Sequence, residues 1–168
     1  MNRPIKRLAL SAVLAAMTLA LTSLGKIPVG NGYLHLGDSV IYLAACVLPF
    51  PYAALAAAVA GALSDALGGY AVYILPTLMI KALITLPFTP KSDTILTRRN
   101  AMMVFPAGAI TVAGYFMAGR ILFGWPGAMA GLPGDTLQAA GSAVLFLVFA
   151  AALDKAKLKK TLLRDAGR

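Results

Sequence analysis

The chain has 168 residues, of which 60% are hydrophobic and only 12% charged. Soluble domains run nearer about 45–50% apolar and about 25% charged, so a water-soluble globule is excluded and lipid is the solvent for most of the chain. The formal net charge of +9 does not mark a nucleic-acid binder, because the basic residues are confined to short terminal and interhelical segments.

In lipid, only helices and closed barrels satisfy every backbone group internally. The apolar runs are long and lack period-two alternation, so the expected fold class is an all-α integral membrane protein. With one His, one Cys and no Glu, the sequence holds no metal-ligand cluster. Cys46, inside an apolar run, reads as a small core hydrophobe.

Residues 2–7 form a basic head, and the first predicted span covers about 8–24 at roughly 1.5 Å per residue. Its length, the lack of a small-x-small cleavage site and the spans that follow set it apart from a signal peptide. Within it Ala12, Ala16 and Ala20 recur every fourth residue. Such a flat stripe admits close approach by another helix, in this bundle or in another subunit. Residues 25–36 form a polar, glycine-broken first loop.

Span two, about 37–48, is short for a hydrocarbon core of roughly 30 Å, and short membrane segments often mark a cavity. Spans three and four cover about 52–67 and 70–88, with Pro76 expected to kink the fourth. A polar loop at 89–100 precedes span five, about 101–123. A Gly/Pro loop at 124–134 holds Trp125, placed as an interfacial belt residue would be. Span six covers about 136–153 and leads into a basic tail. The expectation is one domain, 1–168, of six transmembrane helices.

Six spans put both termini on one side. The head (Arg3, Lys6, Arg7), the loop (Lys91, Arg98, Arg99) and the tail (Lys155, Lys157, Lys159, Lys160, Arg164, Arg168) then share that side and hold twelve of the fifteen basic residues. The positive-inside rule makes that side, and both termini, cytoplasmic.

The polar residues gather in the opposite half. Asp38 opens span two and Asp65 lies near the end of span three. Tyr73, Thr77 and Lys81 are spaced i, i+4, i+8 on one face of span four. Tyr115 and Thr111 share a face of span five, and Asp135, Gln138 and Ser142 lie along span six. With Asn31, Tyr33 and His35 of the first loop, they outline a pocket open to the outside and roofed by that loop. The candidate substrate-binding residues are Asn31, His35, Asp38, Asp65, Tyr73, Thr77, Lys81, Tyr115 and Gln138.

Plainer roles compete for each. Asp38 after Gly37 also fits a helix N-cap, and a histidine on a loop is ordinarily solvated. Lys81, near mid-membrane, costs about 2.5–3.5 kcal/mol and fits snorkelling or a structural ion pair as well as a pocket. Asp65 near a helix C-terminus is disfavoured by about 0.3–1 kcal/mol and needs a cation, a donor or water. No metalloprotease, serine-hydrolase or P-loop signature is present, so no catalytic residue is assigned and the chain is expected not to be an enzyme.

The stretch GYLHLGDSVIYLAA, the Pro-containing turn after it, AGALSDALGGY and PTLMIK resemble the substrate-binding S components of energy-coupling factor (ECF) vitamin transporters. The resemblance covers essentially the whole chain. It implies a bundle that binds one vitamin in an outward-facing pocket built from the last three helices and the first loop. It also implies docking through the alanine stripe, here Ala12, Ala16 and Ala20, onto a transmembrane coupling subunit driven by two ATPases. On that reading the chain binds no cofactor, its partners use the ATP, and it resides in a prokaryotic plasma membrane as a multi-pass protein with no nucleic-acid partner. Leu36–Asp38 (LGD), Asp65 and Lys81 look most like the subgroup handling pyridoxine, hydroxymethylpyrimidine or riboflavin. No tryptophan on spans five or six is suited to stacking, which leaves Tyr73 and Tyr115 for a ring and points away from a thiamine-type site. The rival readings are a stand-alone carrier or channel using Asp65 and Lys81 as an ion relay, and a non-transporting assembly factor.

Overall fold

The computed structural model describes residues 3–29, 32–159 and 161. Helix α1 (Arg3–Leu24) leads to a two-stranded antiparallel hairpin, β1 (Ile27–Val29) and β2 (Gly32–Leu34). Helices α2 (Asp38–Val47) and α3 (Phe50–Gly68) follow. A 3-10 turn (Ala71–Tyr73) enters α4 (Ile74–Leu83), and α5 (Arg98–Met102) and α6 (Val104–Lys155) complete the order. Of the described helices, α1, α3 and the stretch Arg98–Lys155 are long and apolar enough to cross a membrane, while α2 and Ala71–Leu83 are shorter apolar helices.

Helix α2 is the buried centre: every one of its residues is buried. Below Asp38 it contributes Ile41, Tyr42 and Cys46 to an apolar core shared with Ile84, Phe88, Phe146 and Ala150. The Tyr42 ring stacks on Phe88 at 4.9 Å between centroids and meets Phe146 edge-on at 5.8 Å. Phe88 in turn meets Phe146 at 5.6 Å.

Helix α1 packs mainly on α3. Its buried residues are Ser11, Thr18 and Thr22. The Ser11 and Thr18 hydroxyls donate to the carbonyls of Arg7 and Leu14, one turn back, so the face they occupy buries no free donor. Ala12, Ala16 and Ala20 are all exposed, beside exposed Leu8, Val13 and Met17. The stripe is therefore not the intramolecular seam.

Three expectations are corrected here. Pro76 does not kink a helix interior, because the preceding turn is 3-10 and α4 starts at Ile74. Pro76 then lies in the first turn, where its missing N–H has no partner to lose. The α-helix also ends at Leu83 rather than 88, and residues 84–87 continue in turns.

The third correction concerns 124–134, expected as a loop. The chain there is helical, interrupted only at Gly124 (φ 73°, ψ −168°). That left-handed backbone is open to glycine and strained for other residues. The break folds α6 back on itself. An added Cβ at Gly119 would lie 3.2 Å from the backbone of Ala128, and one at Gly108 would lie 3.4 Å from Ala139. Both pairs are centred on the same point near Gly124, as an antiparallel helical hairpin requires. The second half thus begins at about 125, not 136.

At the end away from that hairpin tip, residues 89–100 are tied down by side chains. Asn100 donates to the carbonyls of Thr89 and Ile95 and accepts from the Thr89 N–H. The Asp154 carboxylate accepts from the N–H groups of Ile95 and Leu96 at 2.8 Å each, and Lys159 donates to the Thr94 carbonyl. The polar loop and the basic tail therefore share one end of the molecule.

Candidate functional site

The hairpin roofs the opposite end. Tyr33, on β2, donates its phenol proton to Asp65 Oδ1 at 2.6 Å, and its Oη lies 3.3 Å from Ser64 Oγ. Lys26 donates to the Ser64 carbonyl at 2.8 Å, and its ammonium sits 4.2 Å from the Tyr33 ring centroid. A cation on a carbonyl in the last turns of α3 complements the negative end of that helix. Burial lowers the affinity of the Lys26 amine for its proton, and the Asp65 carboxylate opposes that shift. Burial first, and then the bond to Asp65, hold the Tyr33 phenol well above its ordinary range.

His35 closes the roof from below. It is 4% exposed, not solvated as a loop histidine ordinarily is. Its Nδ1 accepts from the Gly37 N–H at 3.0 Å, which leaves Nε2 to carry the ring proton. Its own N–H donates to Gln138 Oε1 at 3.3 Å. Burial is the largest cause, and Lys81 the next, of an imidazole pushed down to about 3.

Under the roof lies a buried ion pair. Lys81 Nζ is 2.6 Å from Asp38 Oδ1, with side chains 2% and 0% exposed. Gln138 Nε2 donates to Asp38 Oδ2 at 3.1 Å. The carboxylate thus engages both oxygens, and Gln138 joins the floor to the roof. Gly61 makes room for this arrangement: a Cβ there would meet Thr77 Cγ2 at 2.8 Å and Lys81 Cγ at 2.9 Å. The N-cap of α2 is Gly37, and Asp38 is its first helical residue with both oxygens taken by Lys81 and Gln138, so its alternative role as an N-cap is set aside. Lys81 does not snorkel; its ammonium turns inward, 5.1 Å from the Tyr115 ring centroid.

Between roof and floor is a cleft of about 560 Å³, including its open mouth. One wall carries Tyr73 and Thr77, with Tyr115 facing them across a 3.1 Å contact between the Thr77 and Tyr115 hydroxyls. The other is nearly free of side chains, built on Gly119, Gly127, Gly131 and Gly134. The lining thus combines aromatic rings, two carboxylates and a run of glycines. No grouping of three His, Cys, Asp or Glu residues that could hold a metal occurs among the described residues.

The sequence pattern of the ECF-type riboflavin transporter S component family matches residues 2–155. The chain belongs to this family. It is therefore a multi-pass membrane protein of a vitamin-transport family, which is not an enzyme family. No curated protein matches it closely enough to add to this.

Of the nine candidate residues of this S component, His35, Asp65, Tyr73, Thr77, Tyr115 and Gln138 line the cleft. Asp38 and Lys81 are outside its lining and form the pair that holds Gln138. Asn31 lies outside the described residues. Tyr33 and Asp135, placed in the same half by sequence but not among the nine, also line the cleft, whereas Thr111 and Ser142 do not. The glycine wall and Val29 had no sequence assignment. Their signal was there, since Gly127, Gly131 and Gly134 are spaced four and three apart, but it appears only once the segment is known to be helical.

Proposed function

We propose that this S component captures one water-soluble vitamin or precursor, of the pyridoxine, hydroxymethylpyrimidine or riboflavin type, in the hairpin-roofed cleft. It delivers that molecule inward only when docked on a transmembrane coupling subunit driven by two ATPases. The observation that carries the reading is a closed-over cleft at one end set above a solid core. Asp65, Gln138, Thr77 and His35 serve as polar contacts, Tyr73 and Tyr115 flank the ring, and Asp38 with Lys81 fixes the floor. Asn31, outside the described residues, is assigned to the same set from the sequence. No cofactor is required of this chain, and ATP is consumed by its partners.

Given six membrane crossings, the positive-inside rule makes the basic end cytoplasmic. The loop and tail tied together by Asp154 and Lys159 then face the cytoplasm, and the cleft faces out. The exposed Ala12, Ala16 and Ala20 form the docking stripe. The stand-alone carrier reading is disfavoured by the apolar packing of Tyr42, Phe88 and Phe146 below the floor. Uptake of labelled vitamin into proteoliposomes tests the proposal. Vesicles holding this chain alone should accumulate none, and addition of the coupling subunit, the ATPases and ATP should start uptake. Uptake by the chain alone would establish the carrier instead.

A further inference from the structure

Resting on the capture reading, we propose that the cleft selects an uncharged or cationic heterocycle bearing N–H or O–H donors and rejects phosphorylated and carboxylated forms, with Asp65 and Asp135 as the selecting groups.

Asp65 lines the cleft and is 2% exposed. Its Oδ1 accepts from Tyr33, but its Oδ2 is buried with no hydrogen-bond partner among the described residues. A buried carboxylate oxygen without a donor is costly, so the group that belongs beside it brings a proton. Asp135 adds a second carboxylate to the same lining, one turn from Gly131. A Cβ built at Gly131 would come no nearer than 3.4 Å to anything, its first neighbour being Asp135 Oδ2. Space is therefore open directly beside that carboxylate.

Several other polar groups of the lining are engaged. Gln138 uses its oxygen on the His35 N–H and its amide nitrogen on Asp38. The Thr77 and Tyr115 hydroxyls bond each other, and His35 Nδ1 accepts from Gly37. Among the described residues, no lysine or arginine lines the cleft. The Lys81 ammonium is neutralised by Asp38, and Lys26 is held by the Ser64 carbonyl and the Tyr33 ring.

Beside the neutral Nε2–H of His35 and the Tyr73 hydroxyl, the charged capacity of the lining is thus that of two carboxylates, with no free cation among the described residues. An exocyclic amine, a ring N–H or a hydroxyl on the ligand would satisfy Asp65 Oδ2. A phosphate ester or carboxylate would instead bring like charge against two carboxylates, and like charge at close range in a poorly solvated site is strongly unfavourable.

Calorimetric titration of the purified full chain in detergent tests this, using parent and anion pairs: pyridoxine, aminohydroxymethylpyrimidine and riboflavin, each with its monophosphate. One parent should bind and its monophosphate should bind at least about 100-fold more weakly. D65N should weaken the parent by roughly 10–100-fold. Its ligand-free melting should stay the same, since the amide oxygen still accepts from Tyr33. The D65N/D135N double variant should narrow the parent-to-phosphate ratio at least about tenfold. Should D65N fail to fold, D135N alone must narrow the ratio. A monophosphate that binds as tightly as its parent, or variants that leave the ratio unchanged, would overturn the selection rule and leave the capture reading intact. Binding of no compound would overturn the capture reading itself and this inference with it.

Discussion

Removing the Lys81 ammonium would leave Asp38 buried with only the Gln138 amide to answer its charge. Breaking a buried pair from one side typically costs about 3–5 kcal/mol, whereas replacing both partners by apolar groups is often neutral. K81M should therefore lower the melting temperature sharply, and D38L/K81M should recover most of the loss. An equal loss in both would mean that the pair adds no more than packing. At Gly131 the expectation runs the other way. G131A should raise helix stability by up to about 1 kcal/mol yet reduce ligand affinity, because the new methyl group enters the cleft. Melting and binding measured on the same variant should move in opposite directions. These residues differ in how legible they were. A lysine or aspartate in an apolar run announces itself by its cost, but nothing in the spacing says that Lys81 meets Asp38 or that Gln138 reaches both Asp38 and His35. Those partners are 43 and 100 residues apart along the chain from Asp38. The glycines announce nothing, since a Gly/Pro-rich stretch reads as a loop until its helical neighbours show otherwise.

On the capture reading, access to the cleft depends on the roof hairpin. It is held by Tyr33 on Asp65, by Lys26 on Ser64 and by the His35 N–H on Gln138. With its imidazole pushed down to about 3, the closed roof binds no proton on His35 at neutral pH. The opened roof, with an ordinary histidine near pKa 6.5, takes one as the pH falls. Closure is therefore fully favoured above about pH 6.5 and weakens by up to about tenfold per unit below it, towards the closed-state value. Hydrogen exchange over residues 27–35, corrected for intrinsic rates, should show protection that is flat above that point and falls beneath it. H35N keeps an acceptor for Gly37 and should remove the dependence. Unchanged protection in acid would mean that opening does not expose His35. The strands themselves were not legible, since three residues each are too few for an alternating pattern to emerge from IPVGNGYL. Pro76 misled because its meaning depends on where the helix starts, and a 3-10 turn moved that start. Residues 124–134 misled because a single left-handed glycine, not a run of turn residues, makes the reversal.

At the scale of the whole molecule, the family and the membrane class were readable from composition, the basic ends and the LGD-containing stretch. The packed core beneath the cleft was not, because Tyr42, Phe88 and Phe146 come from distant parts of the chain. That core bears on the proposed mechanism: on the capture reading, a bundle packed with apolar side chains below its cleft delivers its cargo by moving as a body against a partner. Helix α1 presents the exposed stripe for such a contact. A16L should accordingly spare the thermal shift produced by ligand while abolishing co-purification with the coupling subunit. Normal co-purification would place the docking face elsewhere. The account as a whole stands on the cleft being a vitamin site. The most direct test is the melting temperature of the detergent-purified protein across a panel of B vitamins and their precursors, with mass spectrometry of any molecule that co-purifies. A single small heterocycle should raise the melting temperature in proportion to the logarithm of its concentration, because a ligand that binds only the native state must stabilise it. A protein that emerges empty and is indifferent to every member of the panel would contradict the account.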